Sequence, residues 1–227
     1  QVGEWLSNIN DESLDEIPKA QLREIKRSFE RAKKVPGDLA QKIARTTSVS
    51  QGKWATARAD NNFSAFVPVL EEVLKLKREE GQALATNADL YDTMLIDYEP
   101  GATADKLSKM FGALRPGLVE LRGAILEKEP AVKLQGSFDE VTQIKISSLL
   151  AETFGYDLNR GRIDKAVHPF SSGSGQDVRI TTRTNLHDPF NCFYSTIHEV
   201  GHGSYEQNID PKYSLTAIGQ GASMGVH

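Results

Sequence analysis

The sequence predicts a mainly α-helical protein: a multi-helix body with a small β-sheet beside one histidine-bearing helix. Three observations carry that prediction. Apolar residues recur at helical spacing between residues 18 and 154, residues 177–183 alternate, and the pentapeptide His198-Glu199-Val200-Gly201-His202 follows soon after the alternation.

Residues 11–58 read as two charged amphipathic helices. The first runs from about Pro18 to Lys34, with Leu22, Ile25, Phe29 and Ala32 in register. Pro36 and Gly37 interrupt it, and Leu39, Ile43 and Ala44 begin the second. Residues 63–85 form a third helix with Phe63, Phe66, Val67, Leu70, Val73, Leu74 and Leu76 on its buried side; Lys75, Lys77, Arg78, Glu79 and Glu80 read as its solvated end. Tyr98-Glu99-Pro100-Gly101-Ala102-Thr103 is a turn, and Thr103 is placed to cap a helix running to about Glu127. Pro116 lies in the middle of that helix and predicts a kink or a break. Ser137-Phe138-Asp139-Glu140 has the form of a capping box opening a helix through Phe154, with Leu149, Leu150 and Phe154 as its apolar stripe.

After Gly155 the composition turns to Ser, Thr, Gly and Asp. Asp177-Val178-Arg179-Ile180-Thr181-Thr182-Arg183 alternates as a short strand does, with Val178, Ile180 and Thr182 on one side. An edge strand beside a metal-binding helix, able to pair with an extended peptide, is the fold-level analogy this order suggests. No repeat, low-complexity tract or Ser/Gly linker divides the chain, so residues 1–227 read as a single mainly helical region.

Basic and acidic residues, 27 and 31 of 227, are mixed along the sequence, which excludes a nucleic-acid surface built from a basic block. No apolar stretch reaches membrane length. Cys192 is the only cysteine and cannot form an internal disulfide, which favours a reducing, cytoplasmic location. Its apolar surroundings, Phe190 to Tyr194, read as those of a buried thiol.

The pentapeptide carries the chemistry. Positions i and i+4 of a helix share one face, so His198 and His202 can reach one metal ion, with Glu199 beside them as general base for a metal-activated water. With five histidines in 227 residues, the pattern arises by accident in about one such chain in a hundred. The competing reading is an exposed helix bearing two unrelated histidines. A catalytic zinc takes three protein ligands and keeps one position open. The extended pattern H-E-x-x-H-x-x-G-x-x-H is excluded, because Tyr205 and Asn208 stand where Gly and His are required. Glu206 and Asp210, the only acids after His202, are too close along the chain to swing round as a ligand. The third ligand is either supplied from elsewhere or lies just past His227.

Three segments, Val167-His168-Pro169-Phe170, Asp177-Val178-Arg179-Ile180-Thr181 and His198-Glu199-Val200-Gly201-His202, stand in the order and wording of the carboxypeptidase Taq family. Tyr91-Asp92 through Tyr98-Glu99-Pro100-Gly101 is similar to a further part of it, and the sequence resembles that family over most of residues 20–227. The resemblance implies a zincin-like fold, almost all helix around a deep groove with a small sheet at the metal. It implies a zinc metallocarboxypeptidase that removes the C-terminal residue from peptides with a free C-terminus, and commonly a homodimer. It also implies a third ligand, a Glu directly after a His. Since His227 is similar to that His, the chain is expected to be the N-terminal part of an enzyme roughly twice as long, truncated before that ligand. Two histidines accept cobalt or manganese as well as zinc.

A carboxypeptidase must hold its substrate's terminal carboxylate, and Arg179 is the local candidate; a structural ion pair with Asp177 is its alternative role. His168 is a candidate groove residue, with backbone capping in a turn as its alternative. Asp177 is a candidate acceptor for a ligand imidazole, and Gly201 is expected to allow close packing against the strand or the substrate. A zinc endopeptidase or dipeptidase, or a catalytically inactive helical fragment, are the readings that compete with the carboxypeptidase.

Overall fold

The computed structural model describes residues 1–85, 89–130, 132 and 134–227. In chain order the helices are α1 (Val2–Ser7), α2 (Glu16–Lys34), α3 (Gly37–Ala59), α4 (Phe63–Leu84), α5 (Leu90–Leu95), α6 (Ala104–Leu126) and α7 (Glu140–Thr153). Three strands follow, β1 (Ile163–Lys165), β2 (Ser171–Ser174) and β3 (Asp177–Thr182), and then α8 (Pro189–Gln207). The fold is mainly helical with a small sheet, as the sequence predicts. Among the described residues no helix is long and apolar enough to cross a membrane. The chain divides into two compact units, Gln1–Ala113 and Leu114–His227, the division falling within α6.

In the first unit α3 and α4 form an antiparallel-type hairpin of helices joined by a tight turn, where Asn62 accepts a bond from the Ala65 amide and caps α4. Leu22, Leu39, Ala57, Leu76 and Leu84 are its buried apolar side chains. Phe63 and Leu74, expected inside, are exposed, while Glu80, expected in solvent, is buried. The reason is an ion cluster. Glu80 accepts from Arg31 Nη2 at 2.8 Å and Lys77 Nζ at 2.7 Å, and Arg31 Nε donates to Asp97 at 2.6 Å.

α6 continues through Pro116 without a break. None of its described residues is buried, and those around Pro116 are exposed, so the helix carries on past the proline at the loss of one backbone donor. α7 starts later than the capping box predicts. Asp139, not Ser137, is its cap, accepting from the Thr142 amide at 2.9 Å.

The second unit is built on the sheet, in the order β1-β3-β2, with β1 parallel and β2 antiparallel to β3. β3 is therefore the central strand, and the edge-strand analogy fails for it because both its sides are already paired. Val178, Ile180 and Thr182 are fully buried on the expected side. α8 packs on β2 and β3, and α7 packs on α8. Ala151, Tyr156, Ile180 and Val200 form the core between these elements.

The buried face of α7 is not the predicted one. Leu149 and Phe154 are 63% and 57% exposed, while Gln143, Ser147 and Ala151 face inward. Small and hydrogen-bonding residues bring α7 close to α8. Thr196 Oγ1 lies 3.1 Å from Ser147 Oγ, 3.0 Å from Thr182 Oγ1 and 2.9 Å from the Cys192 carbonyl. The Cys192 thiol, fully buried, sits 3.3 Å from Ser147 Oγ. Buried polar groups that satisfy one another in this way cost little and fix one packing register.

Candidate metal centre

α8 places the pentapeptide. Asp188 caps the helix by accepting from the Asn191 amide, and Pro189 occupies the first turn, where its missing N–H costs nothing. Cys192, Thr196, Val200, Gly203 and Gln207 then recur at three- and four-residue intervals and face the sheet and α7. The far end is pinned as well: Gln207 Oε1 accepts from the Asp157 amide at 2.8 Å, and its Nε2 donates to the Asp157 carbonyl at 3.0 Å.

With that face fixed, the two imidazoles stand together on the adjoining one. His198 is exposed and His202 half-buried. Their Nε2 atoms are 3.3 Å apart and their rings meet nearly edge to face, at 85°. Two donors each about 2.05 Å from one zinc ion, at the tetrahedral angle, are about 3.3 Å apart. His202 Nδ1 lies 2.8 Å from the main-chain oxygen of His227. An oxygen of that kind only accepts, so Nδ1 carries the proton and Nε2 the lone pair that a metal requires. Glu199 is 5% exposed and, among the described residues, has no hydrogen-bond or ion-pair partner. The donor set thus fits two ligands of a metal site and a neighbouring base. Among the described residues no group of three His, Cys, Asp or Glu side chains is arranged to hold a metal.

The other candidates lie elsewhere. Arg179 and Asp177 point from the same exposed side of β3 and form a two-pronged pair, Nε to Oδ1 at 2.9 Å and Nη2 to Oδ2 at 2.8 Å. The guanidinium holds the Asp177 carboxyl below its ordinary range, and the carboxylate raises Arg179 in turn. No hydrogen bond or ring contact joins Arg179 to His198 or His202 among the described residues. His168 lies in an exposed bend between β1 and β2, next to the buried Pro169.

Gly201 has open space around it among the described residues, so it does not pack against the strand. The glycine at the contact is Gly203: a Cβ there would stand 2.9 Å from the Tyr156 ring and 3.3 Å from Ile180. Glu206, which the sequence excludes as a metal ligand, has a neighbour that its position alone does not show. Its carboxylate lies 3.2 Å from His227 Nε2, and the His227 ring stacks on His202 at 4.8 Å between centroids. Spacing shows only that 202, 205 and 206 share one helix face.

Solved structures similar to this chain include an M32 carboxypeptidase and a metallocarboxypeptidase. The chain superposes on the M32 carboxypeptidase from Deinococcus radiodurans with a TM-score of 0.84 at 32% identity, covering 99% of this chain and 46% of that one. It superposes on Trypanosoma cruzi metallocarboxypeptidase 1 with a TM-score of 0.80 at 33% identity, covering 94% and 44%. In sequence it is 34% identical over 245 aligned positions to thermostable carboxypeptidase 1 of Thermus thermophilus, covering all of this chain and 48% of the relative. Carboxypeptidase 1 of Bacillus subtilis is 31% identical over 220, covering 95% and 44%. Fold and relatives together define a chain of the metallopeptidase class. Residues 1–227 match the family model throughout, and the chain belongs to the carboxypeptidase Taq (M32) metallopeptidase family. It spans about half the length of the curated relatives it matches.

Proposed function

We propose that this chain carries the metal-binding helix of a zinc metallocarboxypeptidase that hydrolyses the C-terminal residue of peptides. The observation that supports the reading is the 3.3 Å separation of the His198 and His202 Nε2 atoms on one face of α8. In this reading residues 1–227 are one region of a larger metallopeptidase domain, and the site is completed by a ligand other than His198 and His202.

His198 and His202 hold the ion, His202 with its Nδ1 proton directed to His227 so that Nε2 is free for the metal. Zinc, or cobalt or manganese in its place, would supply Lewis acidity, polarising the scissile carbonyl and making the attacking water acidic near neutral pH. Glu199 takes the water's proton on a carboxylate oxygen and delivers it to the leaving amine. Its burial without a partner suits this role, because no ion pair competes for the proton. Arg179 is the candidate clamp for the substrate's terminal carboxylate and would share or release Asp177 to serve, with His168 a candidate for the groove wall. The single, buried cysteine accords with a cytoplasmic setting.

The test is Glu199→Gln in a polypeptide spanning the relatives' length, assayed on peptides with free and with amidated C-termini. A lone general base is worth about 10²–10⁴ in rate. The expected result is a loss of that order with zinc content unchanged, and wild-type turnover of the free-ended peptide only. A variant that keeps its rate overturns the mechanism, and equal cleavage of amidated peptide overturns the carboxypeptidase assignment.

A further inference from the structure

We propose that Glu206 is a positioning residue for the metal-binding imidazole of His202, acting through His227. The inference rests on the metal reading above and adds a residue that neither the pentapeptide nor its spacing contains.

His202, Tyr205 and Glu206 lie on one face of the last turns of α8, and the returning chain is seated against all three. The Tyr205 hydroxyl accepts from the Ala222 amide at 3.4 Å, and the Tyr205 ring meets the His227 ring edge-on at 4.8 Å. His227 is held by its own turn, its amide donating to the Ser223 carbonyl at 2.8 Å. Behind it Gly221 is tight, since a Cβ there would stand 3.2 Å from the His227 ring.

Two links then run from Glu206 to the metal face. The first is the contact of the Glu206 carboxylate with His227 Nε2, at 3.2 Å. That nitrogen is buried and has no aligned hydrogen bond among the described residues, so the Glu206 charge is the polar group that compensates it. The second runs from the main-chain oxygen of the same residue to His202 Nδ1, at 2.8 Å. A ring whose Nδ1 proton is fixed by an acceptor presents Nε2 as a lone pair in one orientation. Stacking of the two rings, 19° from parallel, stops His202 from rotating away. Without the Glu206 oxygen, His227 Nε2 has no polar neighbour among the described residues, and the acceptor for Nδ1 loses its seat.

The experiment compares wild type, Glu206→Ala, Glu206→Gln and a His202→Ala control in a polypeptide spanning the relatives' length. Two readouts are used: the ring-nitrogen tautomer of His202 by long-range proton–nitrogen NMR on metal-free protein, and zinc affinity by chelator competition. Removing an outer partner of a metal-ligating histidine costs about 10–100-fold in affinity. Glu206→Ala is expected to replace a single Nδ1–H tautomer with a mixture and to weaken zinc about tenfold. Glu206→Gln, which keeps an oxygen acceptor, is expected to restore both, which a loss of general stability would not do. If Glu206→Ala keeps the wild-type tautomer and affinity, the inference is wrong. If the wild type shows the single tautomer, lost in Glu206→Ala, but binds no more zinc than His202→Ala, the metal reading fails while the link from Glu206 to His202 stands.

Discussion

The Nε2 atoms of His198 and His202 face each other at 3.3 Å across one turn of α8. With the His202 proton on Nδ1, its Nε2 is a bare lone pair. So short an approach then needs a proton on His198 Nε2 or an electrophile shared between the rings. The two histidines are not equivalent: His198 is exposed, whereas His202 is tied to His227.

That asymmetry predicts a split between metal binding and stability. His198→Ala and His202→Ala should each abolish zinc uptake by a polypeptide spanning the relatives' length. Only His202→Ala should also destabilise the metal-free protein, by about 1 kcal/mol, through the lost bond to His227. Chelator competition and thermal melting of the two variants check this. Equal melting temperatures would show that the His227 contact contributes nothing.

The two glycines of the metal helix should respond in opposite ways to the same methyl group. Gly203→Ala drives a Cβ to within 3.0 Å of the Tyr156 ring, and overpacking of that kind costs about 1–3 kcal/mol. Gly201 is surrounded by open space, so Gly201→Ala should stabilise by up to about 1 kcal/mol through helix propensity. Denaturant unfolding of both variants decides it, and a destabilised Gly201→Ala would point to a contact absent from this chain.

These contrasts mark where the sequence is legible. The pairing of His198 with His202 needs only helical spacing, and the alternation of Val178, Ile180 and Thr182 needs only the pleat of a strand, so both can be read locally. β1 has three residues and β2 is Ser171-Ser172-Gly173-Ser174, too short or too polar to show a period. They exist because β3 offers both edges. The face of α7 was obscured because apolarity is the usual signal for burial. Here a close helix contact selects Ser147 and Ala151 and turns Leu149 outward. Gly203 owes its role to Tyr156, which no local pattern links to it, and the helical spacing that sets Glu206 beside His202 does not reveal His227.

The polar seam between α7 and α8 gives a further prediction. Thr196→Val keeps the side-chain shape and removes the hydroxyl that Ser147 and Thr182 both approach. Ser147 and Thr182 keep their contacts with Cys192, so the expected cost is that of the lost Thr196 bonds, about 0.5–1.5 kcal/mol. Because Thr196 lies two residues before His198 on the same helix, the loosened seam should also weaken zinc binding. Melting temperature and zinc affinity, measured together, test the coupling. A variant that is destabilised but binds zinc normally would confine the seam to a structural role.

In the first unit, Glu80 is 6% exposed, and burial alone would push its carboxyl up. The bonds from Lys77 and Arg31 outweigh that and hold it below its ordinary value of 4.5. The same cluster raises Arg31, chiefly through Asp97, so the cation is present throughout. A carboxyl with a depressed pKa in the folded state stabilises fully above its unfolded value, and that contribution is lost as pH falls through the folded value. Glu80→Gln should therefore be less stable than wild type at pH 7, by about 2 kcal/mol after allowance for the partial exposure of Arg31. The gap should narrow as pH drops below about 4.5, because protonation makes the wild-type side chain neutral as well. Thermal melts of both proteins from pH 7 to pH 3 provide the measurement. A gap that stays constant over this range would mean that Glu80 stabilises the α2–α4 contact by shape and not by charge.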